Sequence, residues 1–68
     1  MDRLQKMVTY RNRAELLRAM AGDFEDVGHR HMLNGLAADY DRMADELAVE
    51  MSAEIDARRK AIMAQNSN

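Results

Sequence analysis

The charges of this chain change sign twice along its 68 residues, from basic to acidic and back to basic. Residues 1–20 carry five Lys or Arg and two acids, a net charge of +3, whereas residues 21–57 carry ten acids and two Arg, a net charge of −8. The last residues add Arg58, Arg59 and Lys60. A chain that folds back between the first two blocks pairs opposite charges along its length. The pattern therefore predicts an antiparallel hairpin that is specified partly by charge.

The composition predicts that both arms of this hairpin are helices, which makes the fold all-α. There is no proline and there are only three glycines, and apolar residues recur at the three-and-four spacing of a helix with one buried face. We predict a helix over 2–22, a turn over 23–26, a helix over 27–64 and a frayed tail over 65–68, all within a single domain. Asp26 is the predicted N-cap of the second helix, bonding the N–H of Gly28 or His29.

The second helix carries two neighbouring apolar stripes, and the two predict different contacts. The predicted hairpin core comprises Leu17, Leu36, Tyr40, Met43 and Leu47. The other stripe continues past the end of the first helix, where an isolated helical end in water is marginal without a partner. We predict that it forms an interface between subunits, assembling a dimeric four-helix bundle. Its residues are Ala44, Ala48, Met51, Ile55 and Ile62.

The antiparallel register also predicts which charges meet across the hairpin. Residues placed opposite one another give three ion pairs: Arg13 with Asp39, Arg11 with Asp41, and Lys6 with Glu46. Exposed pairs contribute roughly 0–1 kcal/mol each, so they select orientation and register more than they stabilise.

Size and composition favour self-association. A chain of this length buries only about 60% of its unfolded surface, and it has no cysteine for a disulfide framework. Small domains without such staples commonly oligomerise, so we expect a homo-oligomer, with a dimer favoured. The longest uncharged run near the N-terminus is too short to span a bilayer, which favours a cytoplasmic protein without membrane contact.

No cluster of residues predicts a catalytic, cofactor or metal site. His29 and His31 point about 200° apart on a helix, which disfavours a shared metal ion. The seven methionines fall mostly on the apolar stripes, where they are typical core filler. The acidic residues of the second helix have no accompanying nucleophile and are typical of a solvated face. We therefore predict a non-enzymatic interaction module with a structural or regulatory role.

Two alternatives to this function stay open. Arg58, Arg59 and Lys60 could contact nucleic acid at the basic ends of a dimer, although a cationic last turn that complements the helix dipole is the commoner explanation. The apolar face could instead receive an amphipathic helix from another protein, which predicts a monomer.

Part of the chain resembles a helical segment of small uncharacterised bacterial proteins. The resemblance lies in Tyr10-Arg11-x-Arg13-Ala14-x-x-Leu17-Arg18, followed by Asp26-x-x-x-Arg30-x-x-Leu33-x-x-Leu36-Ala37-x-x-Tyr40-x-x-Met43-Ala44. It covers roughly residues 10–44, and Val27 stands where that pattern often has proline. It implies a helical hairpin with Asp26 at the turn, and it implies no activity.

Overall fold

The computed structural model describes residues 2–66, which form two helices packed against each other as a hairpin. Helix α1 is Arg3–Gly22 and helix α2 is Val27–Gln65. No strand is present within residues 2–66. The predicted all-helical fold with a longer second helix is confirmed.

The helix bounds differ slightly from the predicted ones. Asp2 is the N-cap of α1 rather than its first residue. Gln65, predicted to lie in the frayed tail, belongs to α2, and Asn66 is the C-cap. The rest of the predicted tail, residues 67–68, lies outside the described residues.

Both helices begin at an aspartate cap. The Asp2 carboxylate accepts a hydrogen bond from the N–H of Gln5 at 2.8 Å, and the Asp26 carboxylate accepts one from the N–H of His29 at 3.1 Å. Each bond satisfies a backbone donor that has no partner within its own helix. The start of α2 therefore follows from Asp26, as the sequence predicts.

The end of α1 is closed by backbone bonds of the tighter three-residue type. The N–H of Asp23 bonds the carbonyl of Met20 at 3.0 Å, and that of Phe24 bonds the carbonyl of Ala21 at 3.3 Å. Such bonds give carbonyls at the end of a helix a hydrogen-bond donor, and they do not require a residue in the left-handed conformation. Gly22 accordingly ends the helix without a positive φ.

The buried core is a seam of small side chains. The buried residues are Ala14, Ala21, Leu33, Ala37 and Ala44. Within each helix the alanines are spaced by one heptad, which is the period of a seam that faces the same partner turn after turn. Because alanine projects so little, helices that meet at such residues pack at the short end of the usual 8–10 Å interaxial range.

Larger side chains flank the alanine seam instead of filling it. The half-buried apolar residues at its edges include Met7, Tyr10, Leu17, Tyr40, Met43, Leu47 and Met51. Across the seam, the rings of Tyr10 and Tyr40 lie 5.9 Å apart between centroids. The core is therefore thin, and the aromatic rings close one of its edges.

The alanine seam corrects two predictions. Leu36 is 44% exposed and lies outside the core. The residue of α2 that follows Leu33 in the buried seam is Ala37, four positions later, and Leu36 lies beside it on the exposed side of the helix. Ala44 is 0% exposed inside the hairpin, so it does not supply surface to a second subunit. Both predictions were wrong because they expected large apolar side chains in the core, where the structure places alanine.

Ion pairs between the helices fix their register. Arg3 pairs with Glu54 at 2.6 Å and approaches Glu50 at 3.9 Å, and Arg18 pairs with Asp41. Arg11 pairs with Asp45 at 3.5 Å. Acids of α2 thus face bases of α1 along the hairpin.

The predicted partners are shifted. Arg11 bonds Asp45 rather than Asp41, one turn further along α2, because side chains lean towards the N-terminus of their own helix and the two helices run in opposite directions. Arg13 lies 5.7 Å from the centroid of the Tyr40 ring rather than beside Asp39.

The other two expected partners also differ from the prediction. Asp39 pairs with Arg42 of its own helix at 2.5 Å. Lys6 and Glu46 border the same surface hollow, and no ion pair joins them among the described residues.

The close approach at the seam predicts how the hairpin responds to a larger side chain. We expect Ala44→Leu to lower the free energy of unfolding by about 1–3 kcal/mol, since the added atoms must push α1 away. Ala38→Leu is the matched control, because Ala38 is exposed on the same helix. Thermal unfolding followed by circular dichroism measures the stability of both variants. Equal melting temperatures for Ala44→Leu and Ala38→Leu would contradict the close packing of α1 against Ala44.

The cap at Asp26 gives a second prediction. Asp26→Ala should cost about 1 kcal/mol by leaving a first-turn N–H of α2 without its partner, whereas Asp26→Asn should stay close to the parent. In a chain of this size, such a loss lowers the melting temperature by about 4–8 °C. Equal losses in both variants would show that charge, and not capping, matters at this position.

Candidate interaction surface

Helix α2 extends well beyond α1. Met51 is the last half-buried residue, and every residue from 52 to 66 is exposed. Arg3, the first residue of α1, reaches no further than Glu54. Residues 52–65, here called the overhang, therefore continue for roughly 20 Å as a single helix at about 1.5 Å per residue.

The overhang and the start of α1 form an exposed apolar surface. Ile55 is 53% exposed, Ile62 57% and Met63 65%. Two adjoining surface hollows share Ile55, one bordered also by Leu4 and Met51, the other by Ile62 and Met63. We call the surface lined by these five residues the overhang groove.

The structure places the predicted interface residues in three different settings. Met51, Ile55 and Ile62 lie in the overhang groove, Ala48 is half-buried, and Ala44 belongs to the core.

Leu4 and Met63 are additions that the sequence reasoning did not select. Leu4 lies at the start of α1, and the structure, unlike the predicted register, brings it beside Met51. Met63 lies one residue from Ile62 and borders the same hollow.

The molecule exposes more surface than a compact chain of its mass. Its accessible surface is 5464 Å², whereas a compact monomer of 7.8 kDa exposes about 4,400 Å². Its radius of gyration is 18.0 Å against about 11 Å for a globular domain of this length. The excess of roughly 1,000 Å² exceeds the roughly 800 Å² that one partner buries in a standard protein interface.

The basic residues of the overhang have no electrostatic partner in the described part of the chain. Arg58, Arg59 and Lys60 form no ion pair with any residue from 2 to 66. They also lie more than one turn before the end of α2 at Gln65, too far inside the helix for the dipole to explain them. Arg58 and Arg59 border the overhang groove.

His29 and His31 lie in different environments. The His29 Nδ1 lies 2.5 Å from the Asp26 carboxylate, and the His29 ring stacks on Phe24 with 5.4 Å between centroids. His31 is exposed. Within residues 2–66, no group of three or more His, Asp or Glu side chains is arranged to hold a metal ion.

Further large apolar side chains are exposed towards the turn end of the hairpin, at the opposite end from the overhang groove. They are Met20, Phe24, Val27 and Met32.

Neither described helix contains a stretch that is long and apolar enough to cross a membrane. No protein-family model, curated protein or solved structure matches the chain. The resemblance of residues 10–44 to a bacterial helical segment stays a prediction.

Proposed function

We propose that this protein is a non-enzymatic self-association module, with a structural or regulatory role, whose subunits join through the overhang groove. The observation that carries the proposal is a helical end on which Ile55 and Ile62 are exposed, with no second helix beside it in the described part of the chain. Burying these side chains against another helix removes apolar surface from water, which is the main favourable term in association.

The amount of exposed surface supports the same proposal. The hairpin exposes roughly 1,000 Å² beyond a compact monomer, enough for one side of a standard interface. An isolated helix of the overhang's length is marginal in water, so packing against a second subunit also stabilises the overhang itself.

The proposed interface is narrower than the one predicted from the sequence. A side-by-side four-helix bundle through Ala44 would need surface that α1 already covers. Met51, Ile55 and Ile62 stay free for a partner, and Leu4 and Met63 join them. The cytoplasmic location stays a prediction.

Nucleic-acid binding is the second candidate, and the unpaired basic residues favour it. However, Arg58, Arg59 and Lys60 are consecutive, so they point about 100° apart around the helix and do not form one basic surface. Glu54 and Asp56 also lie within the same turns. If the chain nevertheless binds DNA or RNA, its affinity should fall steeply with salt and drop when the three bases are neutralised.

Replacement of Ile55 tests the proposed function. We expect Ile55→Asp to weaken association at least about tenfold, because it places a carboxylate in an apolar interface. The control is Val49→Asp, since Val49 is exposed on α2 among Arg42, Asp45 and Glu46, away from the groove. Light scattering over a wide concentration range measures the mass of the parent and both variants.

The parent chain should reach twice its monomer mass of 7.8 kDa as the concentration rises, and the Val49→Asp variant should reach the same mass over the same concentrations. Ile55→Asp should stay monomeric in the same range. A parent that is monomeric at every concentration would contradict self-association and favour a partner of another kind. Equal losses in both variants would exclude the groove as the interface.

A further inference from the structure

We infer that the occupant of the overhang groove is the overhang of a second copy, running antiparallel, with its Ile62 seated between Leu4, Met51 and Ile55 of the first. This inference rests on the self-association proposed above and adds its orientation and register. It follows from the order of charges around the overhang, the shape of the groove and the surface excess.

Each side of the overhang carries one acid followed by one base. With about 100° between successive residues, Glu54 and Arg58 fall on one side of Ile55. Asp56 and Arg59 fall on the other side. The apolar line through Ile55 and Ile62 therefore has an acid and a base along each edge, with the acid always nearer to α1.

This order is self-complementary only in the antiparallel arrangement. A two-fold axis perpendicular to the helices places each edge against the same edge of the second copy, in reverse order. Asp56 then meets Arg59 of the second copy, and Arg58 of the second copy approaches Glu54, whose carboxylate also pairs with Arg3 of its own chain. In a parallel pair, the acids of one copy lie level with the acids of the other along the helix axis, and the bases lie level with the bases. These like charges repel each other.

The same axis gives the apolar contacts. Pairs such as Glu54 with Arg58 and Asp56 with Arg59 centre the axis near residues 56 and 57, which brings Met51 opposite Ile62 of the second copy. Ile55 then lies against the aliphatic stem of the second Arg58, whose charged end extends to the edge. Arg58 borders both hollows of the groove, as this arrangement requires.

The start of α1 completes the site. Leu4 borders the hollow that holds Met51 and Ile55, and Val8 borders the next hollow along α1 together with Leu4. The second copy's helix passes this edge as it continues beyond its Ile62. The exposure of Leu4, at 53%, is explained because the second overhang covers it, and the second α2 ends at Gln65, close to Val8.

Disulfide trapping tests the orientation, because the chain has no cysteine of its own. Two variants are prepared, Met51→Cys and Ile62→Cys, one of them with a mass tag, and they are oxidised separately and as a mixture. We expect the mixed disulfide to exceed either self-disulfide by at least about fivefold, since only position 51 of one copy lies against position 62 of the other. An Ala38→Cys variant is the control for random collision, because Ala38 is exposed far from the groove.

The outcomes separate this inference from the proposed function. Dominant self-disulfides at 51 and at 62 would indicate a parallel pair and overturn the inference. Reduced variants that are dimeric by light scattering, but trap no faster than the Ala38→Cys control, would overturn it too while self-association stands. If the parent chain is monomeric at every concentration, both fail.

Charge reversal provides an independent test that does not depend on a cysteine. Asp56→Lys and Arg59→Glu should each weaken the dimer by about tenfold, because each variant brings like charges together on both copies. The double variant, D56K with R59E, should recover the parent affinity in the antiparallel pair. Neither residue has an ion pair within residues 2–66, so hairpin stability serves as the control and should stay unchanged. A double variant as weak as the two single ones would overturn the inference.

Discussion

The two helices of this chain meet through alanine, and most of the molecule's other properties depend on that contact. Small side chains at heptad spacing allow the backbones to approach closely, but they bury little apolar area for each turn of helix. The larger residues stay at the edges of the seam, partly in water. A hairpin made this way is held by many shallow contacts, and Leu33 is the largest side chain that is buried within residues 2–66.

The ion pairs between the helices favour one register of α1 against α2, which the alanine seam alone does not specify. A seam of repeated alanines could slide by one heptad and still place alanine against alanine. The pairs from Arg3, Arg11 and Arg18 to acids of α2 would be broken by such a slip. Their individual contributions are small because they are exposed, yet together they favour one register over its neighbours.

The sequence predicts the hairpin well and the details of its contacts less well. Helix periodicity, the cap at Asp26 and the order of charge blocks are local or additive signals, so they can be read without coordinates. The choice between Leu36 and Ala37 as the core residue is different, because it depends on how closely two backbones approach. The partner of Arg11 depends similarly on the lean of side chains along antiparallel helices, which residue numbers alone do not express.

The residues of the overhang groove also divide into those that the sequence predicts and those that only the packing of the helices identifies. Ile55 and Ile62 could be selected because their stripe continues past the first helix. Leu4 could not, since its periodicity within α1 is that of a core residue, and only the end of the seam leaves it exposed. The predicted end of the second helix at residue 64 already places Arg58 and Arg59 more than one turn from that end. Their unpaired state depends on which acids lie within reach, and residue order alone does not show this.

The unequal length of the helices divides the chain into two thermodynamic regions. Hydrogen-bonded amides in the parts of α1 and α2 that pack against each other exchange chiefly when the hairpin opens. Amides of the overhang can exchange through fraying that leaves the hairpin intact. Sequence changes in the overhang can therefore adjust how strongly subunits associate while the folded hairpin keeps its own stability, and the two properties can evolve separately within a single continuous helix.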